Sequence, residues 1–151
     1  MTTNFASPQE LLGAVGRNLG GTDTITITQD QINKFAEATM DNQWIHVDTE
    51  RAKNGPFGAP IAHGYLTMSL ASHFLAQLVH VSGISMGINY GVDKVRFPAP
   101  VPVGSKLTAT GEIIDAKEVP GGVQAVTRIT ITREGGDRPV AIVDAIARYL
   151  T

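Results

Sequence analysis

The sequence predicts an α+β domain in which one long apolar helix is wrapped by a curved antiparallel sheet, and three observations carry that expectation. Over residues 64–80 the apolar side chains of Leu66, Met68, Leu70, Ala71, Phe74, Leu75, Leu78 and Val79 fall around most of a helical circumference. A helix that is apolar nearly all round must be covered by other elements. Four long segments rich in Val, Ile and Thr, residues 85–97, 105–119, 122–134 and 139–150, supply the cover as strands. Turn signals at residues 98–104, Pro120-Gly121 and Gly135-Gly136-Asp137 separate them, and connections this short pair consecutive strands antiparallel, as hairpins or a meander.

The elements ahead of the helix follow from local signals. Ser7-Pro8-Gln9-Glu10 reads as a helix start, with Ser7 as N-cap, Pro8 in the first position and Glu10 closing a capping box. Gly16 or Gly20 ends that helix. Residues 22–28 alternate Thr with Ile25 and Ile27, the pattern of a short half-buried strand. Thr28 then caps a second helix, with Gln31 in the box position and Ile32, Phe35, Ala36 and Thr39 at helical spacing; it leads directly into Asp41. Asp48 caps a short helix over residues 49–53. The following loop, through Pro60, is punctuated by Gly55, Pro56, Gly58 and Pro60.

The chain of 151 residues is read as one domain, 1–151, without repeats, linkers or low-complexity segments. Its 42% apolar and 17% charged composition is that of a globular protein, and a net charge of -2 offers no basic footprint for nucleic acid. With no cysteine, thiol catalysis, disulfides and Cys-ligated zinc are excluded. Residues 1–9 lack the basic and apolar regions of a secretion signal. Residues 65–81 are interrupted by Thr67, Ser69, Ser72, His73, Gln77 and His80 and are too polar to span a membrane, so the expected location is the cytoplasm.

The chemistry concentrates between Asp41 and Ser72. Asp41 and His46 are five residues apart with no helix pattern between them, so a bent loop brings both onto one water as an acid/base pair. Partial desolvation would raise the basicity of the aspartate, and Trp44 and Ile45 stand between the two as candidate shields. The plainer alternatives are an Asx turn at Asp41 and a satisfied, partly buried histidine at His46. Gly64 opens the long helix, where a backbone N–H can meet a carbonyl oxygen and the missing side chain admits a ligand, or where glycine simply allows close packing. His63 reads as a hydrogen-bonding residue in an N-cap-like position rather than a catalytic one. Asp41, His46 and His63 have metal-ligand chemistry but none of the usual metal spacings, so no metal is expected. His73 and His80 read as structural residues of the helix. Ser72 either lines an acyl pocket or bonds back to its own helix.

Asp41-x4-His46, Pro60-Ile61-Ala62-His63-Gly64 and Val95-Arg96-Phe97-Pro98-Ala99-Pro100-Val101 together resemble the MaoC-like, or R-specific enoyl-CoA hydratase, family. Gln43-Trp44-Ile45-His46-Val47-Asp48 is similar to its 3-hydroxyacyl-thioester dehydratase subgroup. The resemblance spans residues 22–149. It implies a hotdog fold, a homodimer with the substrate tunnel near the subunit interface, and a trans-2-enoyl thioester, from CoA or an acyl carrier, as substrate with no further cofactor. It also implies that Asp41 and His46 activate water, that the Gly64 N–H polarises the thioester carbonyl, and that Ser72, with Trp44 and Gln43, contributes to substrate binding. The family more often reads Gly-Asp-x-Asn-Pro-Leu-His in the loop. Here Met40 stands for the Gly, Gln43 for the Asn and Trp44 for the Pro. Two other readings remain open on this fold, a thioesterase and a non-catalytic acyl-thioester-binding module.

Overall fold

The computed structural model describes residues 2–151. Its main sheet has the order β2 (Asn18–Gly21), β6 (Lys106–Val119), β7 (Gly122–Arg133), β8 (Ala141–Leu150) and β5 (Met86–Arg96), with β3 (Ile25–Thr26) paired beside β2 on β6. All its pairings are antiparallel. The four long strands begin and end within two residues of the segments read from composition. They form a meander only in part. β6, β7 and β8 follow one another across the sheet, but β5 pairs with β8 at the far edge instead of with its successor β6. The Pro-rich connection after β5 carries the chain across to the opposite side, which turn residues alone do not reveal.

The expected long helix is observed as α4 (Gly64–Ser69) and α5 (Ala71–Leu78), joined through a single turn residue, Leu70, whose carbonyl still accepts from Phe74 N–H at 3.0 Å. It ends at Leu78 rather than His80, because Val79–Val81 forms β4 and pairs in parallel with β1 (Thr3–Phe5). Two β-branched valines flanking His80 suit a strand better than a last helical turn. Cover is also less than all-round: Phe74 and Leu78 are fully buried, whereas Tyr65, Ser69, Ser72, His73 and Ala76 are exposed. The helix packs into two apolar clusters laid end to end along the sheet. Phe74 and Leu66 meet Ile129, Ile131 and Val143 in one; Leu78 meets Ile113, Val123 and Leu19 in the other.

The first helical segment is a short 3-10 helix, Pro8–Gly13, ending before Gly16. Ser7 makes no side-chain cap and the expected box does not form, because Glu10 Oε2 accepts from the Ala6 N–H at 2.7 Å, one residue before the N-cap. The strand expected over 22–28 is reduced to Ile25–Thr26, and Asn18–Gly21 pairs in its stead through a bulged register with β6. The α1 helix (Gln29–Thr39) starts as its sequence requires. Thr28 Oγ1 accepts from Gln31 N–H at 3.1 Å, while Ile32 and Ala36 enter the core. No helix among the described residues is long and apolar enough to cross a membrane.

Candidate active site

α1 ends at Met40 in the left-handed conformation (φ 64°, ψ 21°). That backbone favours glycine and costs another residue about 1 kcal/mol or more. The Met40 side chain is 82% exposed, so it points to solvent and leaves the path of the following residue open. Asp41 follows, itself exposed, its Oδ1 accepting from the Gln43 N–H at a long 3.5 Å. His46 does not lie in a bent loop: it sits on α2 (Trp44–Val47), a single helical turn whose His46 N–H donates to the Gln43 carbonyl at 3.1 Å. Asp48 then caps α3 (Thr49–Lys53) through Oδ1 and the Arg51 N–H at 3.1 Å, as its residue type suggests.

The segment 60–63 fastens this turn to the rest of the fold. Ile61 N–H donates to the Ile45 carbonyl at 3.0 Å, Ala62 N–H to Val101 at 2.8 Å, and Val103 N–H to Pro60 at 2.8 Å. The Ile61 carbonyl in turn accepts the Nδ1–H of His46 at 2.6 Å. That bond fixes the tautomer, because a carbonyl can only accept. Nε2 of neutral His46 is therefore left with a free lone pair. The ring is 6% exposed, and burial, with a smaller contribution from neighbouring His63, holds its pKa below the usual 6.5 against the opposing pull of the Ile61 carbonyl and Asp41.

This shift has a stability consequence. Unfolded His46 takes up its proton near the ordinary value and folded His46 only at lower pH, so between the two the unfolded state holds more protons and stability falls as pH falls. In urea unfolding the free energy is expected to drop as pH falls through the ordinary histidine value of about 6.5 and below it, and His46→Gln to flatten that drop. An unchanged slope in the variant would place the titrating group elsewhere.

His63 was not expected to take part, yet it lies at the centre of the cluster. It is 2% exposed, stacks on His46 with ring centroids 3.9 Å apart and planes 24° apart, and donates from Nε2 to the Asp41 carbonyl at 3.0 Å. One carboxylate oxygen of Asp41 and one ring nitrogen each of His46 and His63 lie within 4.8 Å of one another. The residues present do not suit a metal ion: the in-plane lone pairs of nearly parallel rings run side by side, whereas metal ligation needs them to converge on one point.

A cavity of about 370 Å³ opens beside the cluster, lined by Ile45, His46, Gly64, Thr67, Phe97 and Val101 among others. Gly64 faces the ring of Phe97 so closely that a Cβ would stand 2.9 Å from two of its carbons. As the first residue of α4, Gly64 has no intrahelical acceptor for its N–H, and none is assigned to it among the described residues. Thus His46 and Gly64 share one cavity, and Asp41 stands at its His46 side without lining it.

None of the three expected substrate-binding residues lines this cavity, and Ser72 lines another one. The Trp44 ring lies against Gly55 and under the Arg51 guanidinium, whose carbon is 4.1 Å from its centroid; it is a clamp for the loop and does not shield Asp41. Gln43 acts through its backbone, linking Asp41 and His46 as above. Ser72 lines a second, largely apolar cavity of about 340 Å³ between α5 and β5, where its Oγ accepts from Asn89 Nδ2 at 3.2 Å. His73 accepts from Gln77 at 3.0 Å on the helix surface, and His80 lies on β4.

A sheet packed on a broken central helix, with an imidazole and a bare amide lining one cavity and a carboxylate at its side, is a hotdog-fold arrangement. The chain belongs to the MaoC like domain family, whose model matches residues 10–134. It is 46% identical over 147 residues to 3-hydroxyacyl-thioester dehydratase Z of Mycobacterium tuberculosis, covering 97% of each chain. Among solved structures it is similar to the (R)-hydratase from A. caviae involved in PHA biosynthesis, at 27% identity and a TM-score of 0.73, covering 89% of this chain and 96% of that one. The C-terminally truncated HadBC complex of Mycobacterium tuberculosis, at 21% identity, shares the fold with a TM-score of 0.72 over 89% and 96% of the two chains.

Proposed function

We propose that the protein catalyses reversible hydration of a trans-2-enoyl thioester, a CoA ester in the simplest case, to the R-3-hydroxyacyl thioester. One observation supports this most directly: the Ile61 carbonyl holds the His46 proton on Nδ1, leaving Nε2 to accept from a water beside the Asp41 carboxylate and the Gly64 cavity. In hydration Asp41 takes a proton from that water while His46 orients it, and the water oxygen bonds to C3. The C2–C3 π electrons move toward the carbonyl, where the Gly64 N–H meets the growing negative charge. The protonated member of the pair then returns a proton to C2, so atoms and charge balance with no further cofactor. Dehydration reverses the same steps.

The two cavities lie along one helix stripe, on which an acyl chain reaching from the first to the second would run. Gly64 and Thr67 border the first cavity, and Met68, Ala71, Ser72 and Leu75 border the second. Ser72 then stands beside the distal acyl chain and not at the reacting carbons. The dehydratase and hydratase names of the relatives favour this reaction over a thioesterase or a non-catalytic binding module, which rested on the fold alone.

A homodimer fits the same reading. β5 is an edge strand, and Met86, Ile88, Tyr90 and Val92 along it are 39–56% exposed, an apolar edge of the kind that soluble proteins cover. The test is loss of enoyl absorbance on mixing with crotonyl-CoA, with the R-3-hydroxy product identified and the sample sedimenting as a dimer. Free thiol released without a 3-hydroxy product overturns the reaction; a monomer sediments against the assembly.

A further inference from the structure

We infer that His63 is a positioning residue of this site, a single buried ring that holds the backbone of Asp41 and the imidazole of His46 in their working places. The inference rests on the hydration reading, and it draws on contacts that a histidine merely capping a helix would lack. His63 occupies the N-cap position of α4 yet makes no side-chain cap bond. Its Nε2–H is spent 22 residues away, on the Asp41 carbonyl. Its ring is held from two sides, against His46 at 3.9 Å and against Phe35 of α1 at 4.9 Å and 52°.

The tautomer follows from the bond. With the proton on Nε2, neutral His63 has a bare Nδ1, and that nitrogen is buried without a protein partner. A buried acceptor left unpaired is destabilising, so a residue needed only for packing would be better replaced by an apolar one. What the histidine contributes instead is an anchor. Asp41 sits on an exposed loop behind the left-handed Met40, and its own carboxylate contact to the Gln43 N–H is long, so the bond from His63 ties this loop to the buried core. Stacking on the second face of the same ring sets the plane of His46, whose edge is fixed by Ile61. Because His63 directly precedes Gly64, one short segment, residues 61–64, sets all three working groups. Gln29 of α1 adds to the frame by donating from Nε2 to the His46 carbonyl at 2.8 Å.

Two variants divide the two contacts. His63→Phe keeps a ring for His46 and removes the donor; His63→Gln keeps an amide donor that reaches toward Asp41 and removes the ring. Each is expected to lower kcat for crotonyl-CoA by about 10–100-fold, as sub-ångström to ångström misplacement of reacting groups does. KM should move by less than about threefold, because ground-state binding is untouched. Both should recover part of a larger loss in His63→Ala. Long-range nitrogen NMR of the unmodified protein should read His63 as the Nε2–H tautomer, and amide exchange at residues 40–43 should quicken in His63→Phe. Folded variants with wild-type kcat, or a loss carried by KM alone, overturn the role. If the unmodified protein hydrates no enoyl thioester, the reaction falls, and the positioning claim is then decided by the tautomer and exchange: an Nδ1–H ring or unchanged loop exchange overturns it.

Discussion

Asp41→Asn and His46→Gln are each expected to lower kcat for crotonyl-CoA hydration by about 10²–10⁴-fold, the usual worth of positioned acid/base groups. Asparagine keeps the size of the aspartate and its acceptor for the Gln43 N–H but has no basicity. Glutamine in place of His46 removes the free Nε2 lone pair and the ring on which His63 stacks. If the two groups act on one water, as proposed, the double variant should fall little below the poorer single one instead of showing the product of the two losses. Thermal unfolding of Asp41→Asn should be nearly unchanged, since Asp41 is exposed and its long contact survives. His46 is buried, so its variant should also lose stability, and the kinetic comparison must be made below its transition. Wild-type turnover in either single variant would remove that residue from the mechanism, and fully multiplicative losses would mean that the two act at separate steps.

Gly64 offers a second large effect and a way to separate space from hydrogen bonding. In Gly64→Ala the added Cβ would stand 2.9 Å from Phe97, whose ring is 41% exposed and can swing outward at little cost to folding. Displacing that wall and crowding the carbonyl position is expected to reduce kcat/KM by about 10-fold or more. Gly64→Pro adds comparable bulk and also deletes the N–H. Proline suits the first position of a helix, and His63 before it already has the extended backbone (φ -59°, ψ 139°) that a following proline demands, so the fold should tolerate it. The proline variant should fall a further 10²–10³-fold, about the cost of losing one oxyanion donor. Equal rates for alanine and proline would show that the amide does not touch the reacting carbonyl, and the glycine would then be serving space alone.

The sequence read most reliably where one local rule acts alone. Thr28 and Asp48 cap the helices they were expected to cap, and β6, β7 and β8 begin and end near their turn signals. It read less well where distant segments compete for the same residues. Val79 and His80 leave the helix because Thr3–Phe5 offers them a strand partner, and β5 passes over its neighbour in sequence to pair with β8. Trp44, expected at the substrate, is taken by Gly55 and Arg51. His63 reads from its local sequence as a hydrogen-bonding N-cap residue, because its partners, Asp41 and Phe35, lie 22 and 28 residues before it and no spacing rule joins them.

By itself, then, the order of residues determined the inventory: a sheet of long strands, an apolar helix begun by a glycine, and a loop bearing an aspartate and a histidine. Tertiary structure decided which nitrogen of His46 is free, which cavity its residue lines, and that a second histidine stacks on it. The physical reason is range. Caps, turns and strand patterns depend on neighbours within a few residues, whereas a tautomer and a ring orientation depend on a carbonyl or a second ring brought in by folding, as Ile61 and His63 are brought to His46.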